Sequence, residues 1–347
     1  MDRVRTLRVQ HVRTHNDITV EPNERVTVIT GANGSGKTSL IEALYVALQG
    51  SSFKGSDGEL LSHNEPWYRI DVGFESGSAR TVKFEPNRPS GRKQFIIDGK
   101  TNYRLPQQYK YPVVLFDPDD LRLLGGSPTR RRQFIDRFIS QLDPKYGTML
   151  RRYERIVKQR NTLLKASGSS DSLFVWNLSL SESGAYIIEQ RIKFIKELNE
   201  RLQASYRSIA HKDDTVGIGY SYTPRGSIQQ QLLSELHSSE NKDRIMGFTS
   251  VGPHRHDVLF FFNDSPAIAV ASRGEVRSIV LGLKFLEVDI ITEIVGKPPI
   301  ILLDDVFSEL DETRQSSLAS GILQNQTIIT TTSAITVKNA TVLGLGD

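Results

Sequence analysis

The chain has 347 residues, 38% hydrophobic and 24% charged, a balance that suits one large globular domain or two modest ones and excludes wholesale disorder. Its 44 Lys and Arg against 40 Asp and Glu leave a net charge of +4, which neither requires nor excludes a polyanionic partner. There is no cysteine, no apolar run near the ~18 residues that span a bilayer, and no apolar signal core behind Met1-Asp2-Arg3; disulfide-stapled, membrane-spanning and secreted classes fall away, and a cytoplasmic location is expected.

From Leu7 to about Leu115 the pattern is mostly that of strands. The β-rich run Arg25 to Thr30 ends in Gly31-Ala32-Asn33-Gly34-Ser35-Gly36, after which Leu40, Ala43, Leu44, Ala47 and Leu48 recur at helical spacing. Strands are predicted at Arg69 to Glu75, Ala79 to Glu85 and Lys93 to Ile97, with Asp98-Gly99 as a hairpin turn, and together they imply an antiparallel sheet. From about Ser127 to Ile245 the pattern turns helical. Pro144 to Lys165 reads as one helix with Leu150, Tyr153, Val157 and Leu164 inward. After the polar break Ser167 to Asp171, the stripe Ile188, Ile192, Ile195, Leu198, Leu202, Tyr206 and Ile209 marks a longer one. From Gly247 onward strands and helices alternate. Pro299 to Asp305 has the continuous apolar character of a buried parallel strand, and Thr327 to Thr332 is a second β-branched run. Strand-rich ends around a helical middle suggest that the two ends share one sheet.

Gly31-Ala32-Asn33-Gly34-Ser35-Gly36-Lys37-Thr38 fits G-x-x-x-x-G-K-S/T at every fixed position. Glycines let backbone N–H groups converge on a phosphate, and the helix N-terminus adds its dipole. Lys37 suits the β- and γ-phosphates, and the Thr38 hydroxyl suits Mg²⁺. An ordinary glycine-rich turn explains neither the flanking strand and helix nor the Lys-Thr pair. Asp304, ending its apolar strand, supplies a carboxylate to hold the metal through its water shell; Asp305, one residue on, is placed to orient an attacking water as general base. Lys37 and Asp304 are 267 residues apart, more than a small nucleotide kinase or GTPase core needs, and no Asn-Lys-x-Asp motif follows a strand. One ATPase core with a long insertion accounts for this spacing.

Five further segments carry a family resemblance. Ala271-Ser272-Arg273-Gly274-Glu275-Val276-Arg277 resembles the S-x-G signature of ABC-type ATPases, and Asp304 to Asp311 resembles a Walker B motif running into a D-loop. Phe116-Asp117-Pro118-Asp119-Asp120-Leu121 with Gly126 to Arg132, Lys158 to Leu164, and Gly252-Pro253-His254-Arg255 are similar to stretches of the RecF family of recombination mediators. The resemblance runs in one order from Gly31 to Asp311. It implies an α/β ABC-type ATPase head, a mixed sheet around the Walker A core with an antiparallel β subdomain, at 1–125 and 246–347. A short helical lobe is inserted at 126–245. It further implies ATP and Mg²⁺ as cofactors, with ATP bound by Gly31 to Thr38 and by Ser272 and Gly274 of the opposing protomer of an ATP-dependent homodimer. Thr38 and Asp304 are the implied metal ligands, and Lys37, Asp305 and Ser272 the catalytic set. The implied task is DNA repair and recombination after DNA damage, tied to DNA replication and the SOS response. There a clamp on double-stranded, gapped or junction DNA, reset by weak DNA-stimulated ATP hydrolysis, acts with RecO and RecR to load RecA. Arg273 and Glu275 stand where the family often has glutamine, and His256 where an acid is common.

Two other classes compete: the cytoplasmic ATPase subunit of an ABC transporter, and a P-loop kinase for a small molecule. Transporter ATPases carry a switch histidine after the strand that follows Walker B, where this chain has only Thr330, Thr331 and Thr332. The Pro144–Lys165 helix bears seven basic residues against Glu154, and Arg151, Arg155 and Lys158 share one face. That face reads either as solvated or as a track for a DNA backbone, and the resemblance favours DNA. In Arg130-Arg131-Arg132, one residue is expected to brace the lobe. His254-Arg255-His256-Asp257 lacks the further ligands of a metal site, and Phe260-Phe261-Phe262 reads as sheet packing rather than a base-stacking platform.

Overall fold

The structure, a computed structural model, describes residues 2–89, 92–166, 170–332, 337 and 339–345. The chain divides into two compact units, residues 1–120 with 287–347, and residues 121–286. The first unit begins with β1 (Val4–Val12), β2 (His15–Val20) and β3 (Val26–Thr30), then α1 (Lys37–Gln49) and the single turn α2 (Asp57–Leu60). Strands β4 (Tyr68–Phe74), β5 (Ala79–Phe84), β6 (Lys93–Ile97), β7 (Lys100–Asn102) and β8 (Val113–Phe116) follow. A six-stranded antiparallel sheet has the order β2-β1-β4-β5-β6-β7. Its alternation is legible in β4, where Tyr68, Ile70, Val72 and Phe74 are buried and the residues between them are not. The β6–β7 turn is Asp98-Gly99 with both φ positive, at 50° and 75°, the twist that closes a two-residue hairpin.

The second unit holds α3 (Pro128–Leu142), α4 (Pro144–Lys165), α5 (Ser170–Ala210), β9 (Val216–Tyr220), α6 (Ile228–Ser238), α7 (Glu240–Met246), β10 (Val258–Phe262), β11 (Ser265–Pro266) and α8 (Ala267–Val270). Helix α9 (Arg273–Val295) carries the chain back into the first unit. α4 has its predicted bounds, and its start is set by Asp143, whose carboxylate accepts from Lys145 N–H, and by Pro144 in the first turn. Of the predicted break, residues 167–169 lie outside the described residues, and α5 runs for 41 residues from Ser170. This unit is wider than the 126–245 insert expected from the sequence. β9 pairs antiparallel with β10, Val258 opposite Tyr220 and Phe262 opposite Val216, and that ladder joins 247–286 to the helices. Phe260 and Phe262 are buried in it, and Gly217 and Gly219 lie against the Phe261 ring.

The chain returns with β12 (Ile300–Asp304), α10 (Glu312–Gly321), β13 (Thr327–Thr331) and β14 (Ala340–Gly344). These strands complete a sheet of order β14-β3-β13-β12-β8, parallel at every pairing, so both ends of the chain share one sheet. Both its faces are covered, which is why β8, β12 and β13 are buried at every position. Helix α1 shares one core with both sheets: Leu40, Ile41, Leu44, Val46 and Leu48 are each at most 1% exposed. At ~1.5–3 kcal/mol per buried aliphatic side chain, that packing rather than helix propensity holds α1 in place. Among the described residues, no helix is long and apolar enough to cross a membrane.

Candidate nucleotide-binding site

Strand β3 delivers the chain into the loop 31–36, and α1 starts at Lys37. Gly34 and Gly36 have φ of 86° and 89°, open to glycine and strained for other residues. A Cβ at Gly36 would also stand 2.2 Å from His15 Nε2 and 2.6 Å from Thr14 Oγ1. Among the described residues, no side chain caps the N-terminus of α1 and no acid lies in its first turn, so the positive end of the helix is left for an external anion. The Lys37 ammonium folds back over the loop, donating to Gly31 O at 2.8 Å and Ala32 O at 2.7 Å.

Asp304 ends β12 with its side chain 3% exposed. Its Oδ1 accepts from Thr38 Oγ1 at 2.7 Å and Thr330 Oγ1 at 2.9 Å, and its Oδ2 from Lys54 Nζ at 3.1 Å. The structure thus brings Lys37, Thr38 and Asp304 together. A hydroxyl and a carboxylate 2.7 Å apart form a hard-oxygen pair of the kind that suits Mg²⁺. Asp305 turns off the strand with φ of 51°, a conformation aspartate tolerates better than most residues. Its N–H donates to Thr330 O at 3.0 Å, and its buried Oδ1 has no hydrogen-bond partner among the described residues. Buried acceptors normally have a donor, so this oxygen keeps an unused hydrogen-bonding capacity.

Three residues of this site, His15, Arg13 and Lys54, were not singled out from the sequence, and Thr330 was noted there only for standing where a switch histidine would be. His15 Nε2 lies 3.0 Å from Gly36 O, and Arg13 bonds the buried Glu42 of α1 at 3.1 Å. Lys54 and Thr330 both bond Asp304. Thr330 carries a visible signal, since it follows Asp304 by one parallel strand in the Thr-rich run. Lys54 carries none, being a lone lysine in a polar loop.

Ser272 and Gly274 belong to the second unit, at the start of α9. Ser272 N–H donates to Glu275 Oε2 at 2.8 Å, and Glu275 N–H to Ser272 Oγ at 3.3 Å, a reciprocal capping box. The Ser272 N–H and Lys212 hold the Glu275 carboxyl below its usual range. Glu275, a departure from the signature pattern, is therefore a helix cap, and S-x-x-E was readable as one.

In α4, Arg151, Arg155 and Lys158 are exposed, whereas Arg160 is not. It is fully buried, bonding Asp243 at 2.7 Å, Asn177 at 2.7 Å and Thr249 at 2.9 Å, and so adds no charge to the outer face. Arg131 is the bracing arginine, bonding both Asp257 carboxylate oxygens at 2.8 and 2.7 Å. Both His254 nitrogens are engaged, with Tyr153 at 2.6 Å and Thr249 O at 3.1 Å; His256 meets Tyr220 at 3.0 Å and stacks on Tyr222. Burial pushes both imidazoles down to about 4.

A family model described as an AAA domain matches residues 6–248. The DNA replication and repair protein RecF of Streptococcus agalactiae serotype V is 35% identical over 341 residues, spanning 95% of this chain and 91% of that protein. RecF of Streptococcus suis is 36% identical over 336 residues, spanning 94% and 92%. Among solved structures, that of the recombination mediator protein RecF with ATP, in the RecFOR pathway, matches with a TM-score of 0.86 at 28% identity, over 97% of this chain and 94% of that one. An Smc head bound to the C-terminal winged-helix domain of ScpA matches at 0.54 and 15% identity over 98% and 93%, a likeness of fold.

Proposed function

The chain belongs to the RecF family of DNA replication and repair proteins, and from that premise we propose that it is an ATP-dependent DNA-binding protein of recombinational repair. In this reading it works in the cytoplasm at single-strand gaps and junctions. It forms a homodimer on ATP and, with RecO and RecR, helps RecA load. Slow, DNA-stimulated hydrolysis opens the dimer.

The single observation that carries the ATP reading is the Thr38–Asp304 hydrogen bond, which joins the phosphate loop to the carboxylate strand. Lys37 leaves the loop carbonyls to meet the β- and γ-phosphates, and the N–H groups of the loop and of α1 take the phosphate oxygens. Thr38 and Asp304 would hold Mg²⁺, which would offset phosphate charge. Asp305 orients the attacking water through its free carboxylate oxygen and receives its proton. Ser272 and Gly274 of the second protomer close the site over the γ-phosphate. A RecF solved with ATP, 28% identical, supports the nucleotide assignment.

The test is gel filtration with ATP, with ADP and without nucleotide, each with and without gapped DNA, beside phosphate release from the same samples. ATP should move the protein to twice its monomer mass, and gapped DNA should raise phosphate release. Release indifferent to DNA, from a chain that stays monomeric with ATP, overturns the proposal.

A further inference from the structure

One cation at this site has no part in the roles assigned above. Lys54 lies in the polar loop between α1 and α2, and its ammonium is 3.1 Å from Asp304 Oδ2. The loop beneath it is fixed. Ser52 Oγ donates to Glu42, which is 1% exposed, and accepts from the N–H groups of Lys54 at 2.9 Å and Gly55 at 3.0 Å. Arg13 holds the same Glu42 at 3.1 Å. The Lys54 backbone is therefore anchored, while its side chain, 40% exposed, can swing into water without breaking that anchorage. Asp304 cannot move in this way. Its carboxylate is 3% exposed, Oδ1 is engaged by two hydroxyls, and Lys54 is the cation that faces Oδ2.

We propose that Lys54 is the resident countercation of Asp304 and makes divalent-metal entry conditional on nucleotide. The inference rests on the ATP reading above. An ammonium and a dication compete for the same carboxylate, so metal without nucleotide has to evict Lys54 with few ligands to compensate. With nucleotide present, phosphate oxygens complete the metal's coordination and offset that loss. The ion pair thus lowers the affinity of the empty site for metal and has little effect on the loaded one.

The test uses the full chain with Mn²⁺ as probe, free Mn²⁺ being read by its paramagnetic resonance signal, with and without a non-hydrolysable ATP analogue. Without nucleotide, Lys54→Gln and Lys54→Ala should each bind Mn²⁺ about fivefold more tightly than wild type, the upper size expected from removing one half-exposed ion pair. Lys54→Arg, which keeps the charge, should stay near wild type. Adding Asp304→Asn to Lys54→Gln should abolish the gain, and with the analogue the gain should shrink towards nothing. Unchanged Mn²⁺ affinity in both neutral variants, or a gain that survives Asp304→Asn, overturns the assignment. Analogue uptake by wild type is measured on the same samples. No uptake overturns the ATP reading, whereas uptake with no gain in the variants overturns the Lys54 inference alone.

Discussion

Thr38 and Asp304 stand 266 residues apart in the chain, yet the hydroxyl of one donates to the carboxylate of the other at 2.7 Å. The contact depends on β13, which lies between β3 and β12 and places the loop after one strand beside the end of the other. Thr330, on β13, completes the arrangement by donating to Asp304 and receiving the N–H of Asp305. Position in a parallel sheet, rather than proximity in sequence, assembles the site.

Lys37→Ala is expected to lose tight ATP binding, because the phosphate charge is no longer matched. Asp305→Asn should keep binding and lose hydrolysis by about 10²–10⁴-fold, the range for a general base, since an amide cannot take the water's proton. Equilibrium nucleotide binding and phosphate release separate the two. Equal loss of binding in both variants removes the case for Asp305 as base.

Arg160 and Asp243 form an ion pair in which both side chains are fully buried. Arg160→Ala strands the Asp243 carboxylate and should destabilise the protein by about 3–5 kcal/mol, whereas the exposed Arg151→Ala should stay within about 0.5 kcal/mol of wild type. Urea unfolding midpoints measure both. Similar midpoints for the two variants contradict an inward Arg160.

How far the fold could be read from the sequence divides along the range of the interactions. Local patterns sufficed for β4, whose buried residues alternate, for α4, whose start is set by Asp143 and Pro144, and for the Asp98-Gly99 turn. The phosphate loop was legible because its chemistry is confined to eight consecutive residues. β9 was missed: Gly217 and Gly219 remove the apolar alternation, and they are there to accommodate Phe261 from β10. Arg160 continues the buried series Tyr153, Ile156, Leu164, a place that a count of charges along the helix does not show. Lys54 pairs with a residue 250 positions away, which no local pattern encodes.

Acid should weaken the second unit through its two buried histidines. Burial lowers His254 and His256 to about 4 from the ordinary 6.5, with Arg132 and Arg191 nearby adding to it. Between these values the unfolded chain takes up protons that the folded chain refuses, so stability falls as pH drops from about 6.5 and levels off below about 4. From pH 7.5 to 5.5 each histidine should remove about 1.4 kcal/mol. Urea midpoints of wild type and His254→Gln/His256→Gln at both pH values test this, and equal pH dependence in the two proteins refutes it.

Arg151→Glu with Arg155→Glu should weaken DNA binding and leave nucleotide affinity near wild type. Each lost phosphate contact should also reduce the slope of log affinity against log salt by about 0.7–0.9. An unchanged slope with intact folding makes the outer face of α4 a solvated surface.

Lys37 lies in the first unit and Ser272 in the second, 235 residues apart in the chain, and the proposed dimer has them meet across two protomers. Lys37→Ala and Ser272→Arg should each be inactive alone. Ser272→Arg also loses the cap that Ser272 gives Glu275 N–H, worth about 1 kcal/mol, so folding of each variant is checked first. In a mixed dimer one interface site carries both lesions and the other carries neither. Random pairing makes about half the dimers mixed, each with one intact site of two, so independent sites should recover about a quarter of wild-type hydrolysis on the trans-site arrangement of an ABC-type head. If Ser272 serves the Lys37 of its own chain, every site stays broken and mixing restores nothing. Strict coupling between sites would hide recovery as well, so ATP-dependent formation of the mixed dimer is measured on the same sample. Two folded variants that give neither recovered hydrolysis nor an ATP-dependent mixed dimer rule out a site shared between protomers.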